Sequence, residues 1–297
     1  MQSIPEIAAQ IVNNSLSNVA KDNSRTIFLV GSKSVGKSTL LYSFLDKNDT
    51  PKETLVLEYS FGRKSNQKQA IEKTICHIWE YGGKLDILKT VLPSVPIRGK
   101  FYYCVMIDIS KTKSIWNTLE TCVQALNDIY SEAENVPELI IICGKYDLFK
   151  NYDSEIKKFI CSTVRSVALL QKAHLVFYTS KEPQLVKRAK DLFHGIGFGN
   201  GVAFKERNVN STKPLCIPKG SDTWESVGLE LTNWEQIKLR HLTRFPSDPE
   251  VSSEVLASRP QRSHPEPSID ALVALKYEEL RNLELLDISL DDYLRVH

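Results

Sequence analysis

The chain has 297 residues, of which 42% are hydrophobic and 25% are charged, with 13 glycines and 13 prolines. This composition is typical of a globular protein and excludes collagen-like, mucin-like and wholly disordered chains. The formal net charge of +2 is too balanced to argue for binding to nucleic acid or to a membrane. The charge is unevenly divided, because residues 266–297 contain eight acids and three bases, which predicts a separate role for an acidic tail.

The six cysteines lack the paired spacing of a zinc or redox motif, and four lie inside apolar runs. This pattern predicts buried free thiols rather than metal ligands or a disulfide framework. No apolar run reaches the ~18 residues that span a bilayer, and the N-terminus lacks the basic start and continuous apolar stretch of a signal peptide. We therefore expect a reduced, intracellular, soluble protein.

Apolar periodicity predicts an N-terminal amphipathic helix over residues 1–22, followed by alternating strands and helices. The predicted strands are 26–30, 55–60, 74–79, 102–109, 139–143 and 175–179, and the predicted helices are 37–45, 114–131, 154–171 and 183–193. Strands separated by helices need crossover connections, which predicts an α/β fold with a mostly parallel sheet and helices on both faces. The short connection between residues 54 and 79 leaves room for one antiparallel edge strand.

The pattern changes near the end of this predicted domain, which we place at residues 23–205. Glycine-rich chain follows residue 193, and an extension over 206–245 contains a helical segment near 234–242. Residues 246–267 are rich in Pro and Ser and predict a flexible linker. Residues 268–297 predict an amphipathic helix with acidic outer positions, which suits binding in a groove of a partner. Folding back onto the body is the alternative.

The strongest motif is GSKSVGKS at residues 31–38, a complete GxxxxGK[ST] loop between a predicted strand and a predicted helix. In such a loop the backbone N–H groups, the helix N-terminus and the lysine bind phosphates, and the hydroxyl after the lysine can bind Mg²⁺. The predicted phosphate-binding residues are Gly31, Ser34, Val35, Gly36, Lys37, Ser38 and Thr39. Ser38 and Thr54 are the candidate Mg²⁺ ligands, although Thr54 could equally be an ordinary strand residue.

The positions that follow resemble the landmarks of the small Ras-like GTPases, with alterations. Glu80 stands where that family has the aspartate of Asp-x-x-Gly, and its extra methylene pushes the carboxylate into an octahedral site that tolerates little displacement. Lys84 stands where those enzymes have the glutamine that orients water, and an ammonium cannot accept a hydrogen bond from attacking water. The loop can therefore hold a phosphate, whereas the groups that would cleave it are compromised.

Two short runs resemble the guanine-binding loops of the same enzymes. Residues 144–147 (GKYD) match Asn-Lys-x-Asp except that glycine replaces asparagine. Asp147 could accept hydrogen bonds from guanine N1 and N2, and the stem of Lys145 could lie over the ring. Ser180 and Lys181 resemble the Ser-Ala-Lys loop. The alternatives are that Asp147 is a turn or capping residue and that Lys181 is a solvated charge.

Longer runs resemble the dynein light intermediate chains. These runs are IFLVGSKSVGK (27–37), TLVLEYSFGR (54–63), IWEYGG (78–83) and GKYDLF (144–149). The resemblance spans about residues 25–240 and is greatest to the cytoplasmic dynein 2 branch, which is used in retrograde intraflagellar transport.

The resemblance implies a Ras-like domain that acts as a non-catalytic docking body on the dynein heavy chain. Bound GDP or GTP with Mg²⁺, if present, would stabilise this fold. Other dynein subunits, and an adaptor or transport-train protein for the tail, are further implied partners, with no nucleic acid and no membrane insertion. The implied location is the cytoplasm, the cytoskeleton and the cilium, at its axoneme and basal body. An active small GTPase with divergent switch regions is the alternative, and an ATP-binding protein is a weaker third hypothesis.

Overall fold

The computed structural model describes residues 24–65, 73–131, 136–199, 201–202, 204, 206–246 and 267–285. Contacts divide the chain into two units, Met1–Asp248 and Pro249–His297. The predicted N-terminal helix and nearly all of the predicted linker lie outside the described residues.

The first unit is built on a seven-stranded sheet. Its strands are β1 (Arg25–Gly31), β2 (Leu57–Ser65), β3 (Lys73–Tyr81), β4 (Lys100–Asp108), β5 (Glu138–Gly144), β6 (His174–Phe177) and β7 (Cys216–Ile217). Its helices are α1 (Lys37–Phe44), α2 (Leu88–Val91), α3 (Thr112–Tyr130), α4 (Tyr146–Phe149), α5 (Ser154–Leu170), α6 (Pro183–Phe198), α7 (Trp224–Val227) and α8 (Trp234–Arg244).

The strand order is β2-β3-β1-β4-β5-β6-β7. The five central strands are parallel, whereas β2 and β7 pair antiparallel at the two edges. This arrangement confirms the predicted α/β class, the mostly parallel sheet and the antiparallel edge strand. The second edge strand, β7, was not predicted, because two residues are too few to show a periodicity.

The sheet is covered on both faces, which explains the continuous apolar runs of its central strands. On one face, α3 and α5 close over aromatic side chains that include Phe28 and Tyr103, whose stacked ring centroids are 5.7 Å apart. On the other face, α1 and α6 cover a cluster that includes Ile78 and Phe193. All six cysteines are buried and free, as the sequence predicts.

One helix boundary corrects the sequence prediction. Glycine-rich irregular chain was expected after residue 193, but α6 continues to Phe198. The reason is close packing, because a Cβ atom on Gly197 would lie 2.9 Å from Cys76 Sγ and 3.3 Å from the Phe44 ring. Here glycine lets the helix approach the sheet rather than ending the helix.

The extension after α6 is attached to α5 by a buried ion pair. Arg165 donates from Nε and Nη2 to the two carboxylate oxygens of Asp222, each at 2.7 Å. The two side chains are only 8% and 5% exposed. In α8, Trp234 packs against Trp116 of α3, with ring centroids 5.0 Å apart. The predicted helix near 234–242 is therefore confirmed and part of the body's core.

The second unit is described only as helix α9 (Pro267–Leu285). The apolar side chains described on it are exposed, namely Ile269, Leu272, Val273, Leu275 and Tyr277. The start of the predicted tail helix is thus confirmed, and residues after 285 lie outside the described part. None of the helices in the described ranges combines the length and the apolar character needed to cross a bilayer.

Candidate nucleotide-binding site

The loop between β1 and α1 takes a conformation that depends on two glycines. Gly31 has φ +138° and lies against the backbone of β4, where a Cβ atom would be 1.9 Å from the Met106 carbonyl oxygen. The N–H of Ser32 donates to that same oxygen at 2.8 Å. Gly36, just before α1, has φ +107°. Both positions require the left-handed region that glycine adopts without strain, so the motif folds into a loop wrapped around the start of α1.

Lys37 is folded into this loop. Its side chain is buried, and Nζ donates to the carbonyl oxygens of Ser32 at 3.0 Å and Gly31 at 3.4 Å. Burial lowers the pKa of Lys37, although the nearby negative charge of Glu80 acts in the opposite direction. The site thus contains a desolvated cation held by neutral acceptors, and an anion in the loop would compensate its charge.

A cavity of about 290 Å³ opens beside Lys37 at the carboxyl ends of the parallel strands. The phosphate loop forms one side of it, and the segment before β2 forms another. Its lining includes Ser34, Gly36, Lys37, Ser38, Thr39, Thr54, Glu80 and Lys145. Most of the predicted phosphate-binding residues, both predicted Mg²⁺ ligands and Lys145 are therefore brought together around one cavity.

Glu80 reaches directly into this cavity from β3. Its carboxylate Oε1 accepts a hydrogen bond from Ser38 Oγ at 2.7 Å, and the residue is buried. Burial raises the pKa of Glu80, against the hydrogen bond from Ser38 and the charge of Lys37. The hydroxyl that was predicted to bind Mg²⁺ thus donates to Glu80.

Thr54 is buried at the cavity and is held by contacts with β2 and with the end of β3. Its hydroxyl donates to Glu58 Oε2 at 3.1 Å. A Cβ atom on Gly82 would lie 1.8 Å from the Thr54 carbonyl oxygen, and the N–H of Gly82 donates to Val56 O at 2.9 Å. Lys84, in contrast, is exposed and is absent from the cavity lining. Glu58 was not identified from the sequence, because its position opposite Glu80 depends on the β2–β3 register, which local patterns do not show.

The predicted base-binding residues lie together, but the key carboxylate is already paired. Asp147 Oδ1 accepts from Thr179 Oγ1 at 2.7 Å, and Oδ2 forms an ion pair with Lys181 Nζ at 2.6 Å. Burial would raise the pKa of Asp147, but the hydrogen bonds from Lys181 and Thr179 outweigh it and lower the pKa. Ser180 is exposed. Guanine N1 and N2 would have to compete with these donors.

Gly144 shows a second departure at the base-binding end. A Cβ atom there would lie 2.6 Å from Val35 Cγ2 and 3.2 Å from Met106 Cε. The phosphate loop therefore packs directly against this position. An asparagine side chain, which the Ras-like pattern has here, cannot be added without moving Val35.

The phosphate end of the site fits a nucleotide, and the base end fits guanine poorly. The buried Lys37 ammonium and the two loop glycines suit phosphates. The hydroxyls of Ser38 and Thr54 and the Glu80 carboxylate are oxygen donors of the kind that Mg²⁺ prefers. Within the described residues, no group of three or more His, Cys, Asp or Glu side chains could hold a metal ion.

The fold and the loop together define a Ras-like P-loop protein. In agreement, residues 26–147 match the family described as "Ras of Complex, Roc, domain of DAPkinase". The similarity to other proteins extends beyond residues 26–147. A "Cytoplasmic dynein 2 light intermediate chain 1" of Danio rerio is 29% identical over 307 residues, covering 87% of this chain and 85% of that protein.

The protein of the same name from Homo sapiens is 30% identical, and the aligned region covers 75% of this chain and 73% of that protein. The Bos taurus protein is 32% identical, and the aligned region covers 70% of this chain and 69% of that protein. The chain therefore belongs to the cytoplasmic dynein 2 light intermediate chain 1 family, which confirms the resemblance. A crystal structure of a dynein light intermediate chain's conserved domain overlaps with a TM-score of 0.47 at 14% identity, covering 78% of this chain and 96% of that one.

Proposed function

We propose that this chain is a non-catalytic subunit of a cytoplasmic dynein motor that docks on the heavy chain. In this role it supports retrograde intraflagellar transport and cilium assembly. Membership of the cytoplasmic dynein 2 light intermediate chain 1 family supports the motor assignment. The observation that carries the non-catalytic assignment is Lys84, which stands at the position of the water-orienting glutamine, is exposed outside the cavity lining and cannot accept a hydrogen bond from water.

In the proposed site, the loop residues bind the phosphates. Gly31, Ser34, Val35, Gly36 and Thr39 contribute backbone N–H groups, and Lys37 contributes its charge. Ser38 and Thr54 would hold Mg²⁺, which neutralises phosphate charge when bound. Ser38 can do this while it donates to Glu80, because the O–H donor leaves the lone pairs of the oxygen available to a metal ion.

Hydrolysis lacks a suitable residue in this arrangement. Lys84 stands where the Ras-like enzymes have the water-orienting glutamine, and it has no oxygen with which to orient water. A bound nucleotide therefore fills the cavity and stabilises the fold through its binding free energy. Lys145, Asp147, Ser180 and Lys181 would contact its base, and the internal pairing of Asp147 argues for weak selection between GTP and ATP.

Nucleotide released by heating the purified protein, together with GTP turnover, tests this role. We expect GTP turnover by the wild type no faster than that of Lys37→Ala. Lys37-dependent turnover at the rate of a switch GTPase would favour the second candidate, an active small GTPase. That candidate is supported by the intact Lys37, Ser38 and Asp147.

We further propose a division of labour along the chain. The body (23–205), its extension (206–245) and the 1–22 segment contact the heavy chain and other dynein subunits. The 246–267 linker carries the 268–297 helix to an adaptor or transport-train protein. The chain would act in the cytoplasm, the cytoskeleton and the cilium, including the axoneme and basal body. Co-purification of a tagged chain from ciliated cells, with identification of the attached heavy chain, tests this assignment.

A further inference from the structure

Strand β2 is a long strand at one edge of the sheet. It spans Leu57–Ser65 and, within the described part of the chain, pairs only with β3. The other side of this nine-residue strand presents backbone N–H and C=O groups to which a further strand can pair. Natural sheets commonly shorten, bend or cover their edge strands, so a long edge strand is a candidate binding surface.

The hydrogen bonds to β3 determine which residues of β2 face this open edge. The N–H of Gly82 donates to Val56 O at 2.9 Å, directly beyond the end of the β2–β3 pairing. In an antiparallel pair of strands, hydrogen-bonded and non-hydrogen-bonded pairs of residues alternate. Counted from Val56, every second residue of β2 is bonded to β3. The residues between them, which include Tyr59, Phe61 and Arg63, therefore direct their backbone N–H and C=O groups to the open edge.

One face beside the open edge is apolar. Tyr59 and Phe61 are 43% and 61% exposed, and they lie on the same face as Trp79 of β3, which is paired with Tyr59. The ring centroid of Tyr59 lies 6.3 Å from that of Phe61 and 4.8 Å from that of Trp79. A strand added to the edge would place alternate side chains beside these rings, so apolar side chains suit those positions.

The opposite face beside the edge is positively charged. Lys64 is exposed on this face, and Lys47 reaches it, because Lys47 Nζ lies 3.5 Å from Ser60 Oγ. Two carboxylates in this region are engaged by other groups. Glu58 accepts from the hydroxyl of the preceding segment at 3.1 Å, and Asp46 pairs with a lysine of α6 at 2.6 Å. The remaining side chains of an added strand would therefore be best paired if they were acidic.

We propose that the open edge of β2 binds an extended segment of a partner protein in which apolar and acidic residues alternate. The segment adds an eighth strand to the sheet and pairs with the outward backbone groups of β2. Its apolar side chains pack beside Tyr59 and Phe61, and its acidic side chains face Lys47 and Lys64. Because backbone pairing is common to all sequences, this alternation supplies the specificity.

A labelled synthetic peptide tests this surface in the full chain. The probe is a peptide of alternating valine and glutamate, and the control peptide has lysine in place of glutamate. Fluorescence anisotropy should show roughly tenfold tighter binding of the acidic peptide, because two cross-strand charge pairs become favourable. Lys47→Glu combined with Lys64→Glu should reverse this preference. Lys213→Glu, at an exposed lysine of the extension, should leave it unchanged.

Amide hydrogen exchange, measured by NMR, distinguishes strand addition from contact with the rings alone. The N–H groups of Tyr59 and Phe61 should exchange quickly in the free protein and at least about tenfold more slowly with the acidic peptide. Ser60 and Gly62 are the internal controls, because their N–H groups face β3 and should exchange slowly in both states. Phe61→Pro removes one outward N–H group, which an edge strand tolerates, and should abolish peptide binding.

Phe61→Ser keeps the outward N–H group and should bind the acidic peptide more weakly than the wild type, which provides a second variant if the proline variant does not fold. Failure of the acidic peptide to bind, equal binding of both peptides, or binding without slower exchange at Tyr59 and Phe61 would overturn the proposal. Slow exchange of these two amides in the free protein would also overturn it. Analytical ultracentrifugation would then show whether a second copy or the same chain covers the edge.

Discussion

Lys37 is the residue at which binding and stability oppose each other. Its ammonium is buried against two carbonyl oxygens, and burial lowers its pKa. We predict that Lys37→Met raises the free energy of unfolding of the ligand-free protein by about 0.5–2 kcal/mol, because a desolvated charge is removed and Glu80, with its raised pKa, can take up a proton. Urea denaturation measures this change.

The same substitution should abolish any rise in melting temperature on adding GTP. For the stability effect Lys33→Met is the matched control, because Lys33 is 80% exposed and pairs at the surface with Glu53. Its effect on the unfolding free energy should stay below about 0.5 kcal/mol. A Lys37→Met protein that is less stable than the ligand-free wild type would contradict this interpretation.

Gly144 decides whether base recognition can be restored. We predict that Gly144→Asn lowers the free energy of unfolding by about 1–3 kcal/mol, because its Cβ atom would lie 2.6 Å from Val35 Cγ2. The variant should not gain preference for GTP over ATP, since Asp147 remains paired with Lys181. Denaturation and competition binding measure the two effects, with Ser131→Asn, at an exposed serine outside the cavity lining, as control. Tight, GTP-selective binding by Gly144→Asn would show that the loop can move aside.

The sequence predicts the conformation of the phosphate loop better than it predicts the contacts around that loop. GxxxxGK[ST] spacing fixes the backbone because Gly31 and Gly36 adopt positive φ. The hydrogen bond between Ser38 and Glu80 joins residues 42 positions apart, and it depends on the register of β3 with β1 and on side-chain length. Local sequence patterns show neither the strand register nor the reach of a side chain, so the hydrogen bond of Ser38 could not be predicted. The roles of Ser38 and Thr54 in metal binding stay predictions.

At the scale of elements, the extension depends on the ion pair between α5 and Asp222. Burial alone would raise the pKa of Asp222, but hydrogen bonds from Arg165 outweigh it and the pKa is lowered. We predict that Asp222→Asn lowers the free energy of unfolding at neutral pH by about 3–5 kcal/mol, the usual cost of leaving a buried partner charge unpaired. Chemical denaturation at several pH values measures it.

The sign of the pH dependence follows from the direction of the shift. The folded state favours the carboxylate, so its contribution is present above the ordinary aspartate pKa of 3.8 and is lost as the pH falls through the lower folded value. The difference between wild type and Asp222→Asn should shrink in that acidic range. Glu155→Gln is the control, because its pair with Lys158 is well exposed. A difference that stays constant into acid would contradict this account.

The elements also show where periodicity is a reliable guide. Strand β4 was predicted almost to its ends, because a parallel strand covered on both faces is apolar throughout. Helix α6 was predicted too short, since Gly197 is needed for its approach to Cys76 and glycine alone indicates a break. Strand β7 has only two residues, and its pairing with β6 is set by the extension that carries it.

For the whole molecule, the proposed division of labour predicts the effect of removing the tail. Deleting residues 266–297 should leave the free energy of unfolding of the body and its association with the heavy chain unchanged. The deletion should remove binding to the adaptor or transport-train partner. The physical reason is that the apolar residues described on α9, such as Leu272 and Tyr277, are exposed. Denaturation and co-purification measure these effects.

A point variant separates loss of the helix from loss of its apolar side. Leu272→Ser with Val273→Ser keeps the full length and should reproduce the deletion in adaptor binding. Lys276→Gln, an exposed charge on the same helix, should bind as the wild type does. If the deletion prevents folding or heavy-chain association, the proposed division of labour is wrong.

The six cysteines provide a way to count unfolded molecules. Burial raises the pKa of Cys76, Cys122 and Cys161 to about 12 each. In the native protein these thiols are therefore both shielded and protonated, and alkylating reagents react with the thiolate. Alkylation of the cysteines in the wild-type protein would then proceed only as fast as the body opens. The number of labels per chain therefore reports whether the sheet opens as one cooperative unit.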